Sequence, residues 1–191
     1  MHDFASMRAL PNLTILAPCD AVQTEYLTDL LCQFTGPVYM RMGRGDVPPV
    51  YEAGEKFEIG KIKTVCEGTD ATIIACGEMV APAKKAAELL QAEGISVRVL
   101  DCFTIQPMDT KTVEKALRET RAVVTVEEHS TRGGLGEAVS HIAAELRGSA
   151  PMRLLGLPEE VVIGKSQELF AYYGLTPEGI SAAIKERLER E

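Results

Sequence analysis

ATIIACGEMVAPAKKAAELLQAEGISVRVLD, residues 71–101, holds two apolar runs separated by a segment of helical period. The run at 71–76 is short, β-branched and free of charge, as a strand buried on both faces must be, and Val97-Arg98-Val99-Leu100-Asp101 reads as a second short strand. Between them, residues 81–93 repeat alanine and leucine at helical spacing, and Gly94 stands where a left-handed residue ends a helix. Strand, helix and strand in this order form a right-handed crossover joining parallel strands. Downstream the rhythm continues: a helix over 109–120, a strand over 123–127, a glycine-rich turn, a helix over 135–147 and a strand over 152–156. Short helices over 166–173 and 176–190 close the chain, the second with Thr176-Pro177-Glu178 as cap, first-turn proline and first-turn acid. Upstream, residues 60–66 read as a strand and Gly68-Thr69-Asp70 as a tight turn, which predicts an antiparallel hairpin with 71–76 and places 60–66 at the sheet edge. The expectation for 59–191 is an α/β domain of three layers, helices on both faces of a five-stranded, mainly parallel sheet with one antiparallel strand.

Residues 1–50 read as helix, strand, helix, strand: a helix over 3–10, a strand over 13–17, a helix capped by Asp20 and running to about 34, and a strand over 38–42. Two strands are too few to close a core, so this stretch is expected to be part of a second α/β unit. Prolines 48 and 49, Gly54 and alternating charge place a linker at 51–58.

The composition excludes several classes. Of 191 residues, 46% are hydrophobic and 25% charged, which is globular and incompatible with disorder, collagen or a disulfide scaffold. Asp and Glu outnumber Lys and Arg 28 to 20, for a net charge of -8, the wrong sign for a nucleic-acid partner. With no long apolar run and no secretory leader pattern, the expectation is a cytoplasmic protein with no membrane contact. Cys19, Cys32, Cys66, Cys76 and Cys102 show no Cys-x-x-Cys spacing and no histidine at ligand spacing, so no metal site is expected; Cys76 and Cys102 lie inside apolar strand-like runs, where buried reduced thiols are expected.

Ligands of open α/β sheets sit beyond the carboxyl ends of strands. After the strand at 123–127 come Glu128-His129-Ser130-Thr131-Arg132-Gly133-Gly134-Leu135-Gly136. These glycines allow close backbone approach, and the amides at the start of the next helix can receive an anion. Val139 stands where a dinucleotide fingerprint needs its third glycine, which leaves two readings: an anion-binding turn, or a structural turn and interface built from Glu128, His129, Gly133, Gly134 and Gly136. Glu127, Glu128 and His129 would do acid–base work only if gathered in a cleft; satisfied polar groups at a contact are the simpler reading. Arg41-Met42-Gly43-Arg44-Gly45 ends a strand with two guanidinium groups that flexible glycines can aim at one anion, so Arg41 and Arg44 are either a phosphate site or surface arginines. His141 reads as a helix-face residue, and Phe170, Tyr172 and Tyr173 as an aromatic packing or protein-contact patch.

The ordered motifs also carry a resemblance. The run Met7-Arg8-Ala9-Leu10-Pro11-Asn12-Leu13-Thr14-Ile15-Leu16-Ala17-Pro18-Cys19-Asp20 and the run 36–44, GPVYMRMGR, resemble the end of the pyrimidine-binding domain of transketolases. Val126-Glu127-Glu128-His129, the run 133–139 (GGLGEAV) and the run 173–180 (YGLTPEGI) resemble the transketolase C-terminal domain, and the Glu-Glu-His and Gly-Gly-Leu-Gly pair is most like the C-terminal subunit of split bacterial-type transketolases. The resemblance implies a partial pyrimidine-binding domain at 1–50 and a C-terminal domain at 59–191. It also implies an enzyme that uses thiamine diphosphate and magnesium to move a two-carbon ketol unit between sugar phosphates. By the same resemblance Arg44 matches the family's phosphate-contacting arginine and Arg41 a second arginine of the synthase branch. No catalytic residue carries over to this chain. The cofactor-holding domain or subunit and the activating glutamate lie outside it, so the chain alone is expected to be inactive, to bind no cofactor by itself, and to need an N-terminal transketolase partner and a homodimer contact. Alternatives within the resemblance are 1-deoxyxylulose-5-phosphate synthase and the beta subunit of 2-oxo acid dehydrogenases; outside it, a non-catalytic interaction or regulatory module.

Overall fold

The computed structural model describes residues 2–43, 45–159 and 162–189. In chain order the elements are α1 (Asp3–Arg8), β1 (Thr14–Leu16), α2 (Ala21–Leu31), β2 (Val38–Met40), β3 (Lys63–Cys66), β4 (Ala71–Ala75), α3 (Val80–Ala92), β5 (Val97–Asp101), β6 (Thr104–Gln106), α4 (Thr110–Glu119), β7 (Ala122–Ser130), α5 (Leu135–Glu145), β8 (Met152–Leu157), α6 (Ser166–Tyr172) and α7 (Pro177–Glu189). The helix ends follow their local chemistry. Asp20 and Asp109 accept the amides of Gln23 (2.8 Å) and Thr112 (3.2 Å) as N-caps, each satisfying a donor that the first turn leaves open. Gly94 follows α3 at φ +83°, where a side chain would be strained.

Five strands form one sheet in the order β3-β5-β4-β7-β8. Strands β5, β4, β7 and β8 are parallel, and β3 is the antiparallel edge, paired to β5 with a register shift between Thr64 and Cys66. This is the expected five-stranded α/β/α sheet with one correction: β3 and β4 do not form a hairpin. Both edges of β4 are taken along its whole length by β5 and β7, which leaves no edge for β3. The chain instead crosses the start of β5, where Gly68 lies so close that a Cβ would meet the Val97 carbonyl carbon at 2.2 Å.

Alternating residues of the central strands feed two cores. Ile73, Val99, Val124 and Val126 face α3 and α7 through Val80, Ala83, Leu90, Ile180 and Ile184. Ile74, Leu100 and Val123 face α4 and α5 through Val113, Leu117, Leu135 and Val139. Each such side chain, fully buried, stabilises the fold by about 1.5–3 kcal/mol, and truncating Leu90 to alanine would cost about 2–5 kcal/mol.

A second, three-stranded sheet has the order β2-β1-β6. Strand β6, absent from the sequence expectation, comes from the second unit and pairs antiparallel with β1 of the first. Residues 51–58 have no regular element, yet Tyr51 and Phe57 are buried in the same core as α3, their rings 4.9 Å apart. Phe4, Ile15 and Ala17 of the first unit likewise belong to the α4–α5 core. The two units therefore share their hydrophobic interior.

Candidate functional site

The crossovers fix where a ligand would be sought. From β4 the chain crosses through α3 to β5 on one side, and from β7 through α5 to β8 on the other. The carboxyl ends of β4 and β7 therefore border a topological switch point, the usual ligand crevice of an open α/β sheet. Cys76-Gly77-Glu78 follow β4 there, and Glu127-Glu128-His129 end β7, a strand that runs three residues past its expected end to Ser130.

Glu127 is fully buried, and its two oxygens accept the amides of Leu135 and Gly136, both at 2.7 Å. An internal carboxylate thus occupies the positive end of α5. Burial pushes the carboxyl up to about 7, against the two amide hydrogen bonds, which act to lower it. The remaining glycines pack tightly. The amide of Gly133 donates to Glu137 at 3.0 Å, and Arg8 of α1 donates to the carbonyls of Gly133 (2.7 Å) and Gly134 (3.0 Å). A Cβ on Gly133 would lie 2.3 Å from that of Ala5, and one on Gly134 would lie 1.9 Å from Oε2 of Glu127. A Cβ on Gly136 would come within 2.9 Å of the Thr125 hydroxyl. In this structure the turn is thus a contact between β7, α5 and α1, with the donors named here spent inside the chain.

His129 is also fully buried, 5.1 Å from the Phe4 ring. Its Nδ1 lies 2.6 Å from the Ser130 carbonyl, so that nitrogen carries the proton and donates it. Nε2 then holds a lone pair, sealed from solvent with no hydrogen-bond partner among the described residues, 3.9 Å from Oδ1 of Asp3. Burial lowers its pKa from the usual imidazole range and so favours the neutral ring, while the Ser130 carbonyl and Asp3 act the other way.

Arg41 fills the crevice. Its Nη2 donates to the backbone carbonyl and to Oε2 of Glu128, both at 2.9 Å, Nε lies 3.5 Å from Asp3, and the guanidinium stacks 5.0 Å above the Phe4 ring. What remains between Phe4, Arg41, Gly77, Glu78 and Glu128 is a cavity of about 20 Å³. Burial raises the Glu128 carboxyl while Arg41 draws it down, and Glu78 and Asp3 add like charge. Arg44 lies outside the described residues. A larger cleft of about 450 Å³ opens beside its loop, lined by Met42, Gly43, Gly45 and Asp46 from the loop and by Asp20, Glu25 and Glu78 opposite.

One cluster escaped the sequence reading. Asp101, fully buried at the end of β5, accepts from Gln23 Nε2 of α2 at 2.7 Å and from the Tyr51 hydroxyl at 2.8 Å, with the Cys19 thiol against the same carboxyl. Burial pushes Asp101 up to about 7, and it raises the Cys19 and Tyr51 protons well above their ordinary range. The only signal in the sequence was an acid closing an apolar run. Cys76 and Cys102 are buried, and burial raises both thiols. His141 is largely exposed on α5 beside Glu145, and Tyr172 is exposed with its ring 5.1 Å from that of Tyr173.

Thiamine diphosphate and magnesium do not fit the described residues. The amides of Leu135 and Gly136 at the start of α5 are already held by Glu127, and the wider cleft presents carboxylates to a diphosphate. No group of three or more His, Cys, Asp or Glu among the described residues is arranged to hold a metal ion. No helix among them is long and apolar enough to cross a membrane.

Comparison with known proteins places this arrangement. Residues 60–180 match the model of the transketolase C-terminal domain. The whole chain is 45% identical to one of the subunits of the apulose-4-phosphate transketolase of Phocaeicola vulgatus, covering 61% of that protein. It is 40% identical to a putative transketolase C-terminal section of Methanocaldococcus jannaschii, covering 60% of it. Among solved structures, a split-gene transketolase described as an inactive beta4 tetramer superposes with a TM-score of 0.89 at 40% identity over 98% of this chain and 61% of that one. The chain thus spans about three-fifths of the length of these relatives. A transketolase from Pichia stipitis shares the fold at a TM-score of 0.78 and 22% identity. With its five-stranded, mainly parallel sheet and the matched stretch covering that sheet, the chain belongs to the transketolase family, as a C-terminal-domain protein.

Proposed function

We propose that this chain is the C-terminal part of a transketolase that acts with a separate N-terminal subunit or domain, and that the assembled enzyme moves a two-carbon ketol unit between sugar phosphates. The likeness of the entire chain to a named transketolase subunit, at 45% identity, carries the reading. The filled crevice supports it. A domain that uses its switch point to seat Phe4 and Arg41 of its own chain is built to join two units, and it must leave cofactor binding to other parts of the enzyme. Thiamine diphosphate and magnesium belong, in this reading, to the partner's side, where the cofactor supplies a stabilised carbanion. Residues 1–50 are then the tail of the pyrimidine-binding domain and 59–191 the C-terminal domain. Arg44, whose sequence neighbours Gly43 and Gly45 line the larger cleft, takes the substrate phosphate, and the C-terminal domain contributes to contact between copies.

The test is a ketol-transfer assay with sugar phosphates, thiamine diphosphate and magnesium, run on this chain alone and with its N-terminal partner. Activity only in the combined form is expected. Arg44→Ala should then raise KM for a phosphorylated acceptor by about tenfold to a hundredfold with a smaller effect on kcat, the loss of one charge-assisted phosphate contact. A second reading has its own support, because a 1-deoxy-D-xylulose-5-phosphate synthase of Chlorobium luteolum is 36% identical over 188 residues. Pyruvate as the donor, in place of a ketose phosphate, would move the proposal to that activity.

A further inference from the structure

Residues 42–49 leave the first unit and return to it at two fixed points. At the first, the Arg41 amide donates to the Leu16 carbonyl at 2.9 Å, one step past the end of β2, while its side chain reaches across to β7 and takes both the carbonyl and the carboxylate of Glu128. Both side chains are largely sealed, at 17% and 18% exposed. Two residues on, Gly43 lies directly beneath the Glu78 carboxylate, where a Cβ would come within 1.6 Å of Oε1. At the second point, Oδ2 of Asp20 accepts the amides of Val50 and Tyr51, both at 2.9 Å. The loop carrying Arg44 is therefore pinned at both ends by carboxylates of the same chain.

That arrangement makes Arg41 a poor phosphate ligand. Its guanidinium pairs with Asp3 and Glu128 and shares its small cavity with Glu78. A substrate phosphate could reach it only by displacing Glu128 or by adding its charge to three carboxylates. We infer that Arg41 is a positioning residue that acts through Glu128, locking the end of β2 to β7 and so setting Met42 and Gly43, the residues that lead to Arg44. The role given to Arg44 rests on the transketolase reading; the lock between Arg41 and Glu128 does not.

Glu128→Gln separates the two roles by sign. If Arg41 were a phosphate ligand, neutralising Glu128 would free its guanidinium, and KM for a phosphorylated acceptor would fall. If Arg41 positions the loop, KM rises by about tenfold, more than kcat falls, and Arg41→Lys, which keeps one charged contact, lies between wild type and Arg41→Met. The assay uses the chain combined with its N-terminal partner. In parallel, hydrogen exchange of this chain alone reads the lock without any activity: the amide of residue 41, bonded to the Leu16 carbonyl, should exchange about tenfold faster in Glu128→Gln and in Arg41→Met, with no further gain in the double variant. Should Arg41→Met fail to fold, the nearly isosteric Glu128→Gln decides. A fall in KM, or unchanged exchange of the residue-41 amide in Glu128→Gln, overturns the inference. Absence of ketol transfer by the wild type would defeat the functional reading, while the exchange result would still decide the lock.

Discussion

Asp101 closes a strand with its carboxyl sealed from solvent, and it is tied to Gln23 of the other unit and to Tyr51 of the segment between the units. A carboxyl that titrates at about 7 when folded and at about 3.9 when unfolded binds its proton more tightly in the folded state. Its contribution to stability is whole below about pH 4 and is lost as the pH rises through 7. Glu127, also pushed up to about 7, acts in the same direction, whereas the lowered His129 favours the fold above its unfolded pKa and opposes it as the pH falls. Comparison with Asp101→Asn isolates the first of these. Relative to wild type, the variant should be more stable at pH 8 than at pH 5 by about 2–3 kcal/mol in urea unfolding, and parallel pH profiles would show that Asp101 does not carry this proton. The sequence displays Asp101 as the last letter of a buried run and nothing more. Its partners lie 78 and 50 positions away, and no local pattern connects them. Glu127 was visible as a candidate, but its partnership with the amides at the head of α5 depends on how sharply the glycine turn folds back.

Strand β7 and helix α5 meet through a carboxylate where an external anion was conceivable. Residue types alone leave both occupants open, because the same exposed amides serve a phosphate or an internal glutamate equally well. What selects between them is closeness: Gly134 leaves no room for a side chain between the backbone and Glu127. Gly134→Ala should therefore displace Glu127 from its amides and destabilise the chain by about 2–4 kcal/mol, through lost hydrogen bonds to a buried charge and local overpacking. Gly45→Ala, with no atom near its would-be Cβ and no positive φ, should change stability by less than about 0.5 kcal/mol. Equal thermal midpoints for the two variants would mean that the turn yields easily and that Glu127 is not held there. Elements with strong period and clear caps, such as α3, β5 and α4, were legible to within a residue or two. The pairing of β3 and the existence of β6 were not, because strand pairing depends on which edges remain open once β4 has acquired both neighbours.

Across the whole molecule, apolar surface and charge pull association in opposite directions. The first unit ends its small sheet at β2, whose outer edge pairs with no strand among the described residues, and Leu10, Phe34 and Met42 of the same unit are exposed. An open edge and exposed apolar side chains in one unit both favour contact with another chain. A net charge of -8 resists contact between identical copies, and salt screens that repulsion over about 10 Å at 0.1 M. Association of the isolated chain should therefore grow with protein concentration and should strengthen on going from about 0.05 M to about 0.3 M salt, the reverse of what an ion-paired interface would do. Sedimentation velocity reads this directly. Replacing Leu10, Phe34 and Met42 together by serine should shift the distribution toward monomer at every salt concentration, and the proposed N-terminal partner should have the same effect on self-association if it covers this surface. A chain that stays monomeric throughout would mean that the β2 edge is protected by its own side chains.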